Sequence, residues 1–122
     1  MLGQKEAIAT IAVADLTVAR RFYEGTLGLT TDDPHQMLYR SGSSKVLVYE
    51  SKYASTNRAT SATWAVGDDI GSIVDALKSK GVVFERYDFP DMQREGDVHV
   101  FGTVKSAWFK DPDGNILALV NG

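Results

Sequence analysis

The chain has 122 residues, of which 43% are hydrophobic and 24% charged, and this length and composition suit one globular domain with a sizeable core. Its formal net charge of −3, its scattered basic residues and the lack of any apolar run near the ~20 residues that span a bilayer argue against nucleic acid and against a membrane as partners. There is no cysteine, which excludes disulfides, thiol nucleophiles and zinc–thiolate sites, and residues 1–6 lack the apolar core of a signal peptide, so a cytoplasmic protein is expected.

The first half of the chain predicts a strand, a helix and a hairpin. Residues 7–13 form a short apolar run rich in β-branched residues, which is typical of a strand. Asp15 is the predicted N-cap of a helix, because apolar residues recur after it at helical spacing. Those residues are Leu16, Ala19, Phe22, Tyr23 and Leu27. Residues 36–40 and 45–51 predict a hairpin around a Ser/Gly turn, and the Ser/Thr/Asn-rich residues 53–60 predict a linker.

The second half predicts a similar series. Residues 61–66 indicate a strand, and Asp68 or Asp69 begins a helix that ends at Gly81. A strand over 82–89, a charged loop over 91–97 and a final hairpin of residues 104–110 and 115–120 follow. The apolar runs, and the turn residues between them, predict these elements. The offset of 54 that aligns Asp15 with Asp69 also aligns the apolar faces of the two helices, which indicates an internal duplication.

Residues 111–115, Asp-Pro-Asp-Gly-Asn, have the composition of a tight turn, since Pro112 pre-sets φ and Gly114 tolerates left-handed angles. This turn resembles the DPDGN motif of the vicinal oxygen chelate superfamily, which comprises glyoxalases, bleomycin-resistance proteins and dioxygenases. Residues 22–29, FYEGTLGL, resemble the motif that closes the first helix of that family. The resemblance implies an α+β fold in which two βαβββ modules form a curved eight-stranded mixed sheet, a cup with the helices outside.

The modules would then cover about residues 5–52 and 61–122 of a single domain spanning 1–122, joined by the linker at 53–60. In the metalloenzymes of the family, the ligands lie on the first and last strands of each module. The resemblance places those positions at Ile8, Val48, Ser61 or Ala62, and Ala118. A catalytic metal needs three or four nitrogen, oxygen or sulfur donors, which these residues do not supply. The resemblance therefore implies neither a metal nor another cofactor.

Small residues at the former ligand positions would widen a cavity, and nearby aromatic rings would give it flat faces for a stacked ligand. No catalytic residue is predicted. The predicted ligand-binding residues are Ile8, Thr10, Tyr39, Val48, Tyr49, Glu50, Ser61, Thr63, Phe101, Trp108 and Ala118.

Three functional hypotheses follow. The favoured one is a metal-free protein that binds a small aromatic or hydrophobic molecule, as in drug sequestration by the bleomycin-resistance branch. Because one chain leaves sheet edges open, a homodimer is expected. The alternative is a glyoxalase-like lyase or isomerase, or a dioxygenase, with an unusual metal set such as Glu50 and His99. The third hypothesis is a regulatory or interaction module that has lost its ligand; metal content and a ligand screen separate the three.

Overall fold

The computed structural model describes residues 1–122 and divides into two compact units, Met1–Asn57 and Arg58–Gly122. The division falls inside the stretch predicted to be a linker. Each unit contains an α-helix and a sheet, so the fold is α+β as predicted. The strands form one sheet of three and one of six, where the sequence predicted a continuous sheet of eight. Neither α-helix has the length and hydrophobicity that crossing a bilayer would require.

Unit 1 contains a three-stranded sheet with the order β1-β3-β2, in which β1 and β3 are parallel and β2 and β3 form an antiparallel hairpin. Its strands are β1 (Ala9–Val13), β2 (Leu38–Ser41) and β3 (Ser44–Glu50). Helix α1 (Leu16–Arg20) follows β1 and continues as a π-helical segment, Arg21–Thr26. A short 3-10 turn, Leu2–Gln4, precedes β1.

The start of α1 confirms the predicted cap. The Asp15 carboxylate accepts hydrogen bonds from the backbone N–H groups of Thr17 at 2.8 Å and Val18 at 3.2 Å. These bonds satisfy two of the donors that the first turn of a helix leaves unpaired. The chain leaves the π-helical segment through Gly28, whose φ of +76° belongs to the left-handed region that favours glycine.

Unit 2 contains α2 (Ile70–Ser79), which a 3-10 turn, Gly67–Asp69, precedes. Its strands are β4 (Thr60–Ala65), β5 (Phe84–Glu85), β6 (Gln93–Glu95), β7 (Val98–Phe101), β8 (Val104–Lys110) and β9 (Ile116–Val120). The sheet order is β4-β9-β8-β7-β6, and β5 also pairs with β8. In both units the first strand is parallel to the last one, β1 to β3 and β4 to β9.

The region between α2 and β8 differs from the sequence prediction of one strand over 82–89 and a loop over 91–97. Strand β5 has only two residues, because β5 and β7 share one edge of β8 and each pairs with a different part of it. The charged stretch also contains β6, which forms a hairpin with β7 through Gly96, whose φ is +64°. The sequence predicted a loop over residues 91–97 because this stretch is charged and has no apolar side. A strand at the edge of a sheet can form without such an apolar side.

Asp97, in the turn of this hairpin, ties the hairpin to α2. Its buried carboxylate lies 2.8 Å from Lys78 Nζ and accepts a hydrogen bond of 2.9 Å from Arg86 Nε. The hydrogen bonds from Lys78 and then Arg86 hold the pKa of Asp97 below its ordinary value, although burial alone would raise that pKa.

We expect Asp97→Asn to lower the free energy of unfolding at neutral pH, because two cations lose their carboxylate. Since the folded-state pKa of Asp97 is depressed, its contribution is complete above the unfolded-state pKa, about 3.9, and is lost as pH falls through the folded-state value. We therefore expect the difference in the free energy of unfolding between wild type and variant, measured in urea, to become smaller as the pH falls from about 7 to about 3. The control Asp75→Asn, at an exposed site of α2, should show no gap. A gap that stays constant on acidification would contradict this role.

The turn between β8 and β9 has the geometry that the sequence predicts. Gly114 has φ +81°, and its N–H donates to the Asp111 carbonyl at 3.0 Å. The Asp111 carboxylate accepts bonds from the backbone N–H groups of Asp113 at 2.9 Å and Asn115 at 2.8 Å. The Asn115 side-chain amide donates to the other carboxylate oxygen at 2.8 Å. Asp111 and Asn115 are both buried, whereas Pro112 at the tip of the turn is exposed.

We expect Gly114→Val to destabilise the protein by about 1–3 kcal/mol, because a β-branched side chain disfavours a positive φ. A Cβ added at Gly114, or at Gly71 on α2, would meet no other atom within 4 Å, so backbone conformation alone distinguishes the two sites. Gly71→Val is therefore the matched control, with an expected change within about 0.5 kcal/mol. Equal thermal unfolding of the two variants would show that the turn does not need its left-handed residue.

Candidate ligand-binding site

The two faces of the unit 2 sheet differ in character. On one face Ala107, Phe109, Leu117 and Leu119 are all buried, and Phe84 packs edge-on against Phe109 with ring centroids 5.4 Å apart. Val98, on the same face, lines a small hollow together with Val74 of α2, so this is the face that packs toward the helix. It forms the core of the unit.

The opposite face carries two rows of residues that pair across the strands. The first row runs from Thr63 through Ala118 and Trp108 to Glu85. Residues directly opposite each other in register lie on the same face of a sheet, so these four side chains are neighbours. The second row, two residues along each strand, is Ala65, Val120, Ser106, His99 and Arg94.

Five aromatic rings cluster on this side of the sheet, and we call the side that carries them the aromatic face. The rings are those of Tyr87, Phe89, His99, Phe101 and Trp108. The Trp108 ring centroid lies 4.9 Å from that of His99, 5.4 Å from that of Tyr87 and 6.1 Å from that of Phe89. Phe101 joins the cluster through Phe89, at 5.8 Å. Phe89 is 44% exposed, whereas His99 is fully buried. The cluster therefore presents ring surface outward and has an imidazole at its base.

One ring nitrogen of His99 accepts a hydrogen bond, and the other has no hydrogen-bond partner. Its Nε2 accepts a hydrogen bond of 2.8 Å from the backbone N–H of Tyr87. Because Nε2 is the acceptor, the neutral ring carries its hydrogen on Nδ1. Nδ1 is buried and is the one buried side-chain polar atom of the chain that has no hydrogen-bond partner. Buried polar atoms are nearly always paired in native structures, so this donor marks a special position.

The charged side chains around the aromatic face differ in how closely they are paired with an opposite charge. A hollow of about 450 Å³ adjoins Phe89, and its walls carry two arginines. Its lining residues are Arg86, Asp88, Phe89, Met92, Arg94 and Gly96. Arg86 is bound to the buried Asp97, whereas Arg94 Nη1 lies 3.8 Å from Asp88, whose side chain is 94% exposed. Arg94 is thus the weakly compensated cation of the hollow.

Tyr87 adds a neutral hydroxyl to this region. Burial, and then the nearby Glu85 carboxylate, raise the pKa of Tyr87 above its ordinary value, and Lys110 partly opposes them. Glu85 itself is paired with Lys110 at 3.1 Å. The phenol is therefore protonated at neutral pH and can donate a hydrogen bond.

Four of the residues predicted to bind a ligand lie together here. Thr63, Ala118 and Trp108 share one row of the aromatic face, and Phe101 lies in the ring cluster. Ser61 is half-buried at a β-bulge, and the register does not assign it a face. The sequence did not predict Tyr87, Phe89 or Arg94 as site residues, and it indicated His99 only as part of the alternative metal set with Glu50. The missed signal was the spacing of two in Tyr87-x-Phe89 and His99-x-Phe101, which puts each pair on one side of an extended chain.

The predicted residues of unit 1 are divided between the two faces of its sheet. Ile8, Thr10 and Tyr49 are exposed, and the Thr10 hydroxyl donates to the Ile8 carbonyl at 3.1 Å. Glu50 is also exposed, but it pairs in register with the buried Val13 and so lies on the opposite face from Tyr49.

Tyr39 and Val48, which are also among the predicted ligand-binding residues, are both buried in the core of unit 1. Val48 pairs in register with the buried Ile11, and the Tyr39 ring stacks on Tyr23 at 6.3 Å. The Tyr39 hydroxyl donates to Glu24 at 2.8 Å, and burial together with this bond raises the Tyr39 pKa.

The residues present do not fit the metal site that the fold implies. Ile8, Val48 and Ala118 carry no donor atom, and no group of three or more His, Cys, Asp or Glu side chains in the chain could hold a metal ion. His99 offers only Nδ1, since Nε2 already accepts the Tyr87 N–H. These side chains therefore do not supply the three or four donors that a catalytic metal needs.

A family model described as Glyoxalase/Bleomycin resistance protein/Dioxygenase superfamily matches residues 7–119. Among solved structures, the chain is similar to the fosfomycin resistance protein FosX of Mesorhizobium loti, with 16% identity, TM-score 0.69, and coverage of 100% of this chain and 94% of that one. It is also similar to a glyoxalase family protein of Enterococcus faecalis, with 18% identity, TM-score 0.71 and coverages of 98% and 99%. An integron cassette protein from the mobile metagenome of the Halifax Harbour sewage outfall shows 22% identity, TM-score 0.66 and coverages of 96% and 97%. No curated protein matches the chain. At these identities the structural likeness shows the fold.

We expect His99 to be the Nδ1-protonated tautomer, because the Tyr87 N–H requires a lone pair on Nε2. Long-range proton–nitrogen correlation spectra of labelled protein report which ring nitrogen bears the hydrogen. His35, an exposed residue, is the internal reference for an imidazole that no buried backbone donor constrains. A hydrogen on Nε2 of His99 at neutral pH would contradict the bond to Tyr87.

Proposed function

The chain belongs to the glyoxalase/bleomycin resistance protein/dioxygenase superfamily, and we propose that it is a metal-free member that binds a planar aromatic small molecule on the aromatic face. The observation that carries the proposal is the partly exposed ring cluster around Trp108, with a buried donor at its base. Aromatic side chains supply large contact areas and favour offset or edge-on packing with another ring. A face with these groups suits a flat ligand with a hydrogen-bond acceptor.

The small residues beside Trp108 support this site. Ala118 is directly opposite Trp108, and Thr63 is opposite Ala118. Both side chains are small, Thr63 is exposed and Trp108 is half-buried, so part of the indole is accessible to a ligand. Ligand sites are typically apolar surfaces with a few polar groups that fix orientation, and Tyr87 and His99 are such groups here.

Drug binding and sequestration is the role that we propose for this site. Two fosfomycin resistance proteins, from Mesorhizobium loti and Listeria monocytogenes, are among the structural relatives, which supports a role in resistance. We also propose a homodimer, because β6 has three exposed residues at one edge of the unit 2 sheet and open edges favour pairing with another chain.

Tryptophan fluorescence tests the site, because the two tryptophans lie on opposite faces of the sheet. Trp64 pairs with Leu119 on the core face, whereas Trp108 is on the aromatic face. Trp64→Phe leaves Trp108 as the sole reporter, and Trp108→Phe leaves Trp64. In a screen of planar aromatic compounds, we expect quenching in the Trp64→Phe variant and little in the Trp108→Phe variant. Quenching confined to Trp64 would place the ligand elsewhere.

Metal analysis of the same preparation separates binding from the enzymatic alternative. We expect plasma mass spectrometry to find transition metal far below one ion per chain after growth in metal-supplemented medium. A stoichiometric metal that is lost in Glu50→Gln or His99→Gln would favour the lyase, isomerase or dioxygenase instead. Failure of every compound in the screen would favour a module that has lost its ligand, and light scattering on the sample reports whether it is a dimer.

A further inference from the structure

We propose that the ligand of the aromatic face is a planar aromatic anion whose ring packs on Phe89 and Trp108 and whose negative group pairs with Arg94. This inference rests on the proposed function and adds to it the chemical class of the ligand. It is carried by three observations: where Arg94 lies, how weakly its charge is compensated, and which polar groups of this face have no partner.

Arg94 lies on the same side of the sheet as the rings. It occupies the middle of β6 and pairs in register with His99 of β7. The hollow of about 450 Å³ contains both Arg94 and Phe89 in its wall, so an aromatic ring and a guanidinium border the same space. A ligand that packs on Phe89 can therefore extend to Arg94.

The other charges near the aromatic face already have close partners. Arg86 and Lys78 share the buried Asp97, at 2.9 Å and 2.8 Å. Lys110 pairs with Glu85 at 3.1 Å. Arg94 has only the 3.8 Å contact with Asp88, whose side chain is almost fully in water, and such a pair contributes little. A positive charge thus remains beside the hollow.

The polar groups of this face that lack a close partner are hydrogen-bond donors, so they suit a ligand that accepts hydrogen bonds. Arg94 is a pure donor with a planar fork that fits a carboxylate through two parallel bonds. His99 Nδ1 is also a donor and has no partner in the chain. The carboxylates near the rings are those of Glu85, which has Lys110 at 3.1 Å, and Asp88, which has Arg94 at 3.8 Å. Because the side chain of Arg94 is 35% exposed and that of Asp88 94%, the charge held against the hollow is the positive one, and it favours an anionic ligand.

Calorimetric titration with a matched pair of ligands tests the inference. 2-Naphthoate and 2-naphthamide have the same ring and nearly the same shape, and only the first is an anion. We expect wild type to bind the naphthoate about tenfold more tightly, because a charge-assisted bidentate bond replaces a neutral one. Added salt should weaken naphthoate binding and leave naphthamide binding nearly unchanged.

Three variants assign the preference to a residue. Arg94→Gln should reduce the difference between the ligands to about twofold by removing the cation, and most of the change should be in naphthoate affinity, because glutamine can still donate a neutral hydrogen bond to either ligand. Arg58→Gln, at an exposed site at the start of unit 2, is the matched control and should keep the wild-type preference. Asp88→Asn should strengthen naphthoate binding, because it removes the carboxylate that competes for Arg94.

The outcomes separate this inference from the proposed function. If wild type binds both ligands with equal affinity and Trp108→Leu binds neither, the anion preference is overturned and the aromatic site is supported. A preference that survives Arg94→Gln would overturn the role of Arg94. If neither ligand binds wild type, both the inference and the aromatic site that it rests on are wrong for ligands of this size.

Discussion

The hydrogen bonds of the Asp111 carboxylate fix the register on which the aromatic face depends. This buried group binds the backbone N–H groups of Asp113 and Asn115 and the Asn115 side chain, which closes the turn between β8 and β9. With the turn closed in this way, Trp108 is opposite Ala118. A slip of one residue would turn Trp108 into the core and bring Phe109 onto the open face. The proposed site therefore depends on a turn that lies outside it.

Ring contacts and the arginine have different roles in the binding that we propose. A well-placed aromatic pair contributes about 0.5–1.5 kcal/mol beyond the burial of its area, and any flat ligand gains it. A hydrogen bond to a charged group contributes about 1.5–3 kcal/mol, and only an anion gains it. The rings around Trp108 would thus give general affinity for planar molecules, and Arg94 would give selectivity among them.

The sequence predicted those features that depend on local chemistry. The Asp15 cap and the Gly114 turn follow from residue types whose preferences act over a few positions, and both are present. Which face of β3 carries Val48 could not be read from the sequence, because strand alternation fixes only the relative sides of residues and the absolute side comes from pairing with β1. Tyr87 and Phe89 were missed because their contacts depend on β5 and β7 sharing one edge of β8, which no local pattern encodes.

The two units differ most at the sheet edge that supplies the polar part of the proposed site. In unit 1, the edge beyond β2 carries a single antiparallel bridge between Thr30 and Arg40. In unit 2, the corresponding edge of β8 carries β5, β7 and, beyond them, β6. These strands bring His99 and Arg94 to the aromatic face. Ala118 on β9, where the family resemblance implies a metal ligand, carries no donor atom. Leaving a buried donor such as His99 Nδ1 without a partner costs about 1–3 kcal/mol, and a phenylalanine would avoid that cost only by leaving the Tyr87 N–H without the acceptor that Nε2 provides. The imidazole therefore has a structural role at Nε2, and its Nδ1 is the polar atom that remains for the ligand that we propose.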